Sequence, residues 1–139
     1  MKYFKNTNNE IFAFDNEQVK QGYGKDLIPI AKEEKDKILA PSPEQILQQK
    51  KNKLKQERDK ALENITYTFS DNSVIQVRPK DLPNINIAIQ EGKDTKWIMA
   101  DNTIRIVTVN ELKEAMASGI AQGKAIWADY MSKLEKLEN

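Results

Sequence analysis

No cysteine and no histidine occur among the 139 residues. The first absence excludes disulfides, thiol nucleophiles and thiolate metal sites. The second removes imidazole as a general acid or base, and with it the Ser-His-Asp and Cys-His hydrolases. Glycine is scarce, at five residues, and Gly22-Tyr23-Gly24 has neither a third glycine nor the Lys-Ser/Thr pair of a phosphate loop. Charge of one sign is nearly absent in excess. Lys and Arg total 22 against 21 Asp and Glu, a net charge of +1, whereas a nucleic-acid binder collects positive charge on one face. No run approaches the ~18 apolar residues of a membrane-spanning helix. The opening Met1-Lys2-Tyr3-Phe4-Lys5-Asn6 carries no apolar stretch of the signal-peptide kind. Lack of cysteine fits a reducing cytosol. Neither nucleic acid nor membrane is expected as a partner.

Carboxylates are the remaining source of chemistry, and their settings are poor for it. Glu33-Glu34 and Glu111/Glu114 fall in charged helical surface, without the apolar surroundings that raise a catalytic pKa. Asp71-Asn72-Ser73 and Asp101-Asn102-Thr103 resemble fragments of a calcium loop. They lack the other ligands and the closing glutamate, so they read as turns. Lys50-Lys51-Asn52-Lys53 is a short basic run with no interleaved aromatic, a solvated helix face by default and otherwise a contact for an acidic partner or RNA. The expectation is a protein that is not an enzyme and uses no cofactor or metal.

What is present points to an α+β chain. Tyr3-Phe4, the polar Asn6-Thr7-Asn8-Asn9 and Ile11-Phe12-Ala13-Phe14 read as a hairpin. Residues 1–40 are assigned to this N-terminal β-hairpin or arm segment, and residues 41–139 to an α+β domain. That domain opens on Pro41-Ser42-Pro43-Glu44-Gln45, where Ser42 can cap, Pro43 needs no amide proton and Gln45 can bond back. A long helix follows to about Asn64, thinly striped, with Gln48 to Lys53 polar on every face. Period-two apolar residues from Tyr67 to Val77 flank the turn Asp71-Asn72 and predict a second hairpin. A short helix capped by Asp81 and stopped by Gly92 carries Leu82, Ile85, Ala88 and Ile89. Another hairpin spans Lys96 to Val107. A final helix starts at the capping box Thr108-Val109-Asn110-Glu111.

Along that last helix Leu112, Met116, Ile120, Trp127, Tyr130, Leu134 and Leu137 recur at helical spacing and are expected to form the main apolar stripe. A fully packed Trp127 would cost about 3–5 kcal/mol on truncation to alanine. Ala115, Gly119 and Gly123 sit four apart, and both glycines are expected where another backbone approaches closely.

Three strings occur in order: Arg78-Pro79-Lys80-Asp81-Leu82-Pro83-Asn84, Trp97-Ile98-Met99-Ala100-Asp101-Asn102, and Gly119-Ile120-Ala121-Gln122-Gly123-Lys124-Ala125-Ile126-Trp127. They resemble a family of small tailed-phage and prophage proteins that carries a domain of unknown function and is known as tail-fibre assembly proteins. The similar part covers about residues 43–138. Glu10-Ile11-Phe12-Ala13-Phe14-Asp15 is similar to the opening of the same proteins, although Asn16-Glu17 follows here in place of a glycine-containing loop. The resemblance implies a chaperone that binds the C-terminal region of a tail fibre and promotes its trimeric folding in the bacterial host cytoplasm. The alternative it leaves open is a structural component retained in the virion tail, at the fibre tip or baseplate. Tyr3, Phe4, Phe12, Phe14 and Trp97 are the expected partner-binding residues, as large side chains on short hairpins that bury little area by themselves.

Overall fold

A computed structural model describes residues 1–139. The chain divides into two compact units, Met1–Ile46 and Leu47–Asn139. The first contains more than a hairpin. Strands β1 (Lys2–Lys5) and β2 (Ile11–Phe14) pair antiparallel, with Tyr3 opposite Ala13 and Phe4 opposite Phe12. The turn between them is closed by Asn6, whose side-chain oxygen accepts from the amides of Asn8 and Glu10, while Asn9 takes a positive φ. A short helix, α1 (Asn16–Lys20), follows under a capping box in which Asp15 and Gln18 bond reciprocally. Strand β3 (Ile28–Ile30) then pairs with the other edge of β1, giving a three-stranded sheet in the order β2-β1-β3. Helix α2 (Lys32–Leu39) completes the unit. The third strand escapes sequence reading because Ile28-Pro29-Ile30 is short and holds a proline. At a sheet edge the missing amide proton costs nothing.

The second unit keeps the expected order of helix, hairpin, helix, hairpin, helix. Helix α3 (Pro43–Glu63) begins where predicted: Gln45 N–H donates to Ser42 Oγ at 3.1 Å, and Ser42 N–H to Gln45 Oε1 at 2.8 Å. Hairpin β4 (Thr66–Thr68) to β5 (Val74–Gln76) leads to α4 (Leu82–Glu91), then to β6 (Thr95–Ile98), β7 (Ile104–Val107) and α5 (Val109–Glu138). Asn72 and Asn102 adopt φ of 68° and 67° in the two hairpin turns. That left-handed conformation is one asparagine tolerates better than most residues. Gly92 ends α4 at φ 74°. Asp81 stands at the start of α4, but its side chain does not cap it. Its carboxylate instead accepts from Arg78, from the backbone amide at 3.0 Å and from Nε at 2.7 Å.

The core of this unit draws on its strands, α4, α5 and the residues that flank them: Ile65, Phe69, Ile75, Val77, Ile85, Met99, Val107, Leu112 and Ala115 are all buried. On α5 the buried line is Leu112, Ala115 and Gly119, continued by half-buried Ile126, Tyr130, Leu134 and Leu137. The expected stripe is therefore rotated. Ile120 and Trp127 lie on its exposed flank, Trp127 at 43% exposure, because the side of α5 carrying the small residues is the one that receives Val77, the residue that follows β5. A Cβ on Gly119 would sit 2.8 Å from the Val77 carbonyl oxygen, so only glycine admits this approach. Gly123 differs: no heavy atom lies within 4 Å of its would-be Cβ, so the packing expectation fails there.

Helices α3 and α5 run antiparallel. Lys51 reaches Glu138 at 2.9 Å, and the Arg58 guanidinium lies 4.5 Å from the Trp127 ring centroid and 4.6 Å from that of Tyr130. The half-buried positions of α3 are Leu47, Lys51, Leu54, Arg58 and Leu62, three or four apart along one helix face, and two long cations stand where leucine would be expected. Their aliphatic stems cover apolar surface while the charges find partners at the rim.

Candidate protein-interaction surface

The aromatics of the first unit form one connected group. The Phe14 ring centroid lies 5.8 Å from Phe4, 5.5 Å from Tyr23 and 6.4 Å from Phe12. Phe4 is 6% exposed, so it departs from the expected set of exposed anchors. Gly24, at φ +82°, brings backbone to the Phe4 ring so closely that an added Cβ would be 3.1 Å from it. Tyr3, Phe12 and Phe14 are half-buried. Lys35 Nζ sits 4.7 Å from the centroid of Tyr3 and pairs with Asp36 at 2.7 Å. Tyr23, at 52% exposure, joins this group without having been singled out in the sequence, since a lone tyrosine between glycines has no periodic neighbour to mark its face.

Trp97 belongs to the second unit and lies half-buried against the core. It stands opposite Arg105 on the inner face of the β6–β7 hairpin. The outer face is different. Ile98 pairs with Ile104, and Lys96 with Ile106, so the period of two places these four side chains together. Ile98, Ile104 and Ile106 are 67%, 70% and 61% exposed. The β-branched content of the second strand identified a strand but concealed which isoleucines face water. No such ambiguity remains in the register. The hairpin has only two strands, and its turn is tied to the neighbouring hairpin by a bond from Ala100 N–H to the Val74 carbonyl at 2.9 Å.

Arg105 organises the inner side of this surface. Its Nε donates to Asp71 at 3.0 Å, its Nη2 to Glu111 at 2.7 Å, and its guanidinium carbon lies 4.6 Å from the Phe69 centroid. One side chain thus joins the turn of the β4–β5 hairpin, the β6–β7 hairpin and the capping box of α5. Asp71 is held down to about 2, first by the Ser73 hydroxyl and amide and then by Arg105. Glu111 is also held below its ordinary value, first by Arg105 and then by the Thr108 amide. Asp101 is lowered by the Thr103 hydroxyl and amide. These carboxylates are therefore committed to turn closure and ion pairing. No three acidic side chains converge in a way that could hold a metal ion, and no helix is long and apolar enough to cross a membrane.

Residues 45–137 match the family described as Domain of unknown function (DUF4376). No curated protein and no solved structure matches the chain.

Proposed function

We propose, from the premise that the chain belongs to the DUF4376 family, that it is a tail-fibre assembly chaperone. It binds the C-terminal region of a phage tail fibre in the host cytoplasm, promotes folding of the trimer, and catalyses no reaction. The resemblance of the three strings to tail-fibre assembly proteins supplies the biological context. The observation that carries a binding role is the outer face of the β6–β7 hairpin, where three isoleucines stand more than half exposed around Lys96. Contiguous apolar surface of this kind on a small protein marks an interaction site.

A trimeric fibre forms long-range β pairing slowly, so its strand edges and apolar faces are exposed while it folds. A two-stranded hairpin with an apolar face can cover such a segment and release it when the fibre's own strands compete. Tyr3, Phe12 and Phe14 remain proposed contacts through their exposed portions, with Phe4 as the buried ring beside Phe14. Trp97 contributes by holding the hairpin against the core.

Co-expression of the fibre with the full chain, with residues 1–40 deleted, and with Ile98→Ser/Ile104→Ser/Ile106→Ser tests this. The full chain should copurify with fibre and raise the yield of soluble trimer. The triple variant, folded by circular dichroism, should lose both effects, and the deletion should weaken copurification. Absence of any effect from the full chain would refute the chaperone reading. An undiminished effect from the triple variant would refute the hairpin contact.

A further inference from the structure

At the far end of the α3–α5 pair, a shallow slot of about 330 Å³ has Leu54 and Leu137 as its apolar lining and Lys50, Lys53 and Lys136 around it. This volume is near the lower limit for small-molecule sites, which run from about 300 to 1,000 Å³. It suits one or two inserted side chains better than a whole ligand. The surrounding charges do not cancel. Lys51 is neutralised by Glu138 at 2.9 Å and Lys133 by Asp129 at 2.9 Å. Glu57 also lines the slot and acts electrostatically on Lys133. Lys50, Lys53 and Lys136 form no ion pair within the chain. Three uncompensated cations against one carboxylate leave a positive rim around an apolar floor.

We infer that this slot is a second protein-docking site, which receives an acidic peptide segment anchored by one or two aliphatic side chains. Charge complementarity selects the occupant: carboxylates on the segment face Lys50, Lys53 and Lys136, while the aliphatic anchor covers Leu54 and Leu137. Lysine is suited to this use because its charge is a mobile point that tolerates varied carboxylate positions. A nucleic acid would satisfy the lysines and leave the leucines uncovered, since no aromatic side chain lines the slot for a base to stack on. The site lies outside the hairpin face and does not depend on the fibre reading.

A fluorescein-labelled twelve-residue peptide with leucine at two positions four apart and glutamate at most others serves as the probe, followed by anisotropy with the full chain. Binding should be saturable and should weaken as salt rises. Lys50→Gln/Lys53→Gln/Lys136→Gln alters three exposed residues and should reduce affinity about tenfold. A peptide with serine in place of both leucines should also bind more weakly. No binding by the full chain, equal binding by the triple variant, or equal binding of the serine peptide would overturn the inference. So would tighter binding of a labelled single-stranded oligonucleotide of similar charge.

Discussion

Gly119 and Gly123 are the same residue type on the same helix, and their surroundings give opposite expectations. At Gly119 an added methyl would meet the Val77 carbonyl oxygen at 2.8 Å and its Cβ at 2.9 Å. Neither atom can swing away, so Gly119→Ala should destabilise by about 1–3 kcal/mol, the range for overpacking. At Gly123 there is open space, and alanine recovers its helix propensity. Gly123→Ala should stabilise by up to about 1 kcal/mol. Urea denaturation of both variants checks the pair, and stabilisation by both would place Val77 elsewhere. Trp127 follows the same logic of surroundings. With 43% of its surface exposed and Arg58 stacked on it, truncation to alanine should cost about 1–2 kcal/mol rather than the 3–5 of a packed ring. A loss above 3 kcal/mol in the same assay would return it to the core.

At the scale of elements, the two hairpins and α5 are joined through carboxylates that must stay ionised. Asp71 is lowered from 3.8 to about 2, and Glu111 lies below its model-compound value of 4.5. Because both are lower in the folded state than in the unfolded state, their contribution is fully present above the unfolded values. It is lost as pH falls through the folded ones. The melting temperature should therefore decline between pH 4 and pH 2. Arg105→Gln should lower it at neutral pH and make the acid decline shallower, chiefly through Glu111, for which Arg105 is the leading cause. A parallel decline in wild type and variant would show that Arg105 does not hold these groups. The element scale also explains why α3 reads as featureless in sequence. Its seam is real, but Lys51 and Arg58 occupy two of the five seam positions. A pattern search that scores only apolar residues passes over them.

For the whole molecule, the expectation is that the second unit is autonomous. A fragment of residues 42–139 retains the Ser42 cap and every residue of the buried core cluster. It should melt in a single cooperative transition, followed by circular dichroism. A broad, non-cooperative loss of structure would make residues 1–41 part of that core. The first unit has one buried apolar side chain, Phe4, and is expected to be the less stable of the two in hydrogen exchange.

The α+β class and the order of elements from α3 onward were determined by the sequence alone. So were the caps at Ser42 and Thr108 and the stop at Gly92. All are local: a cap or a turn depends on residues three or four apart, and the chain carries that information wherever it is placed. The third strand, the rotation of α5, the burial of Phe4 and the exposure of Ile98, Ile104 and Ile106 were decided by tertiary structure. Each depends on which of two available faces meets a partner distant in sequence. Trp127 and Ile126 are adjacent, both apolar, and both consistent with a helix. Only the arrival of Val77 at Gly119 and of α3 along the same line turns Ile126 inward and leaves the tryptophan at the surface. The proposed interaction surface belongs to this second class, because an exposed isoleucine and a buried one are identical until the register of the hairpin and its packing side are set.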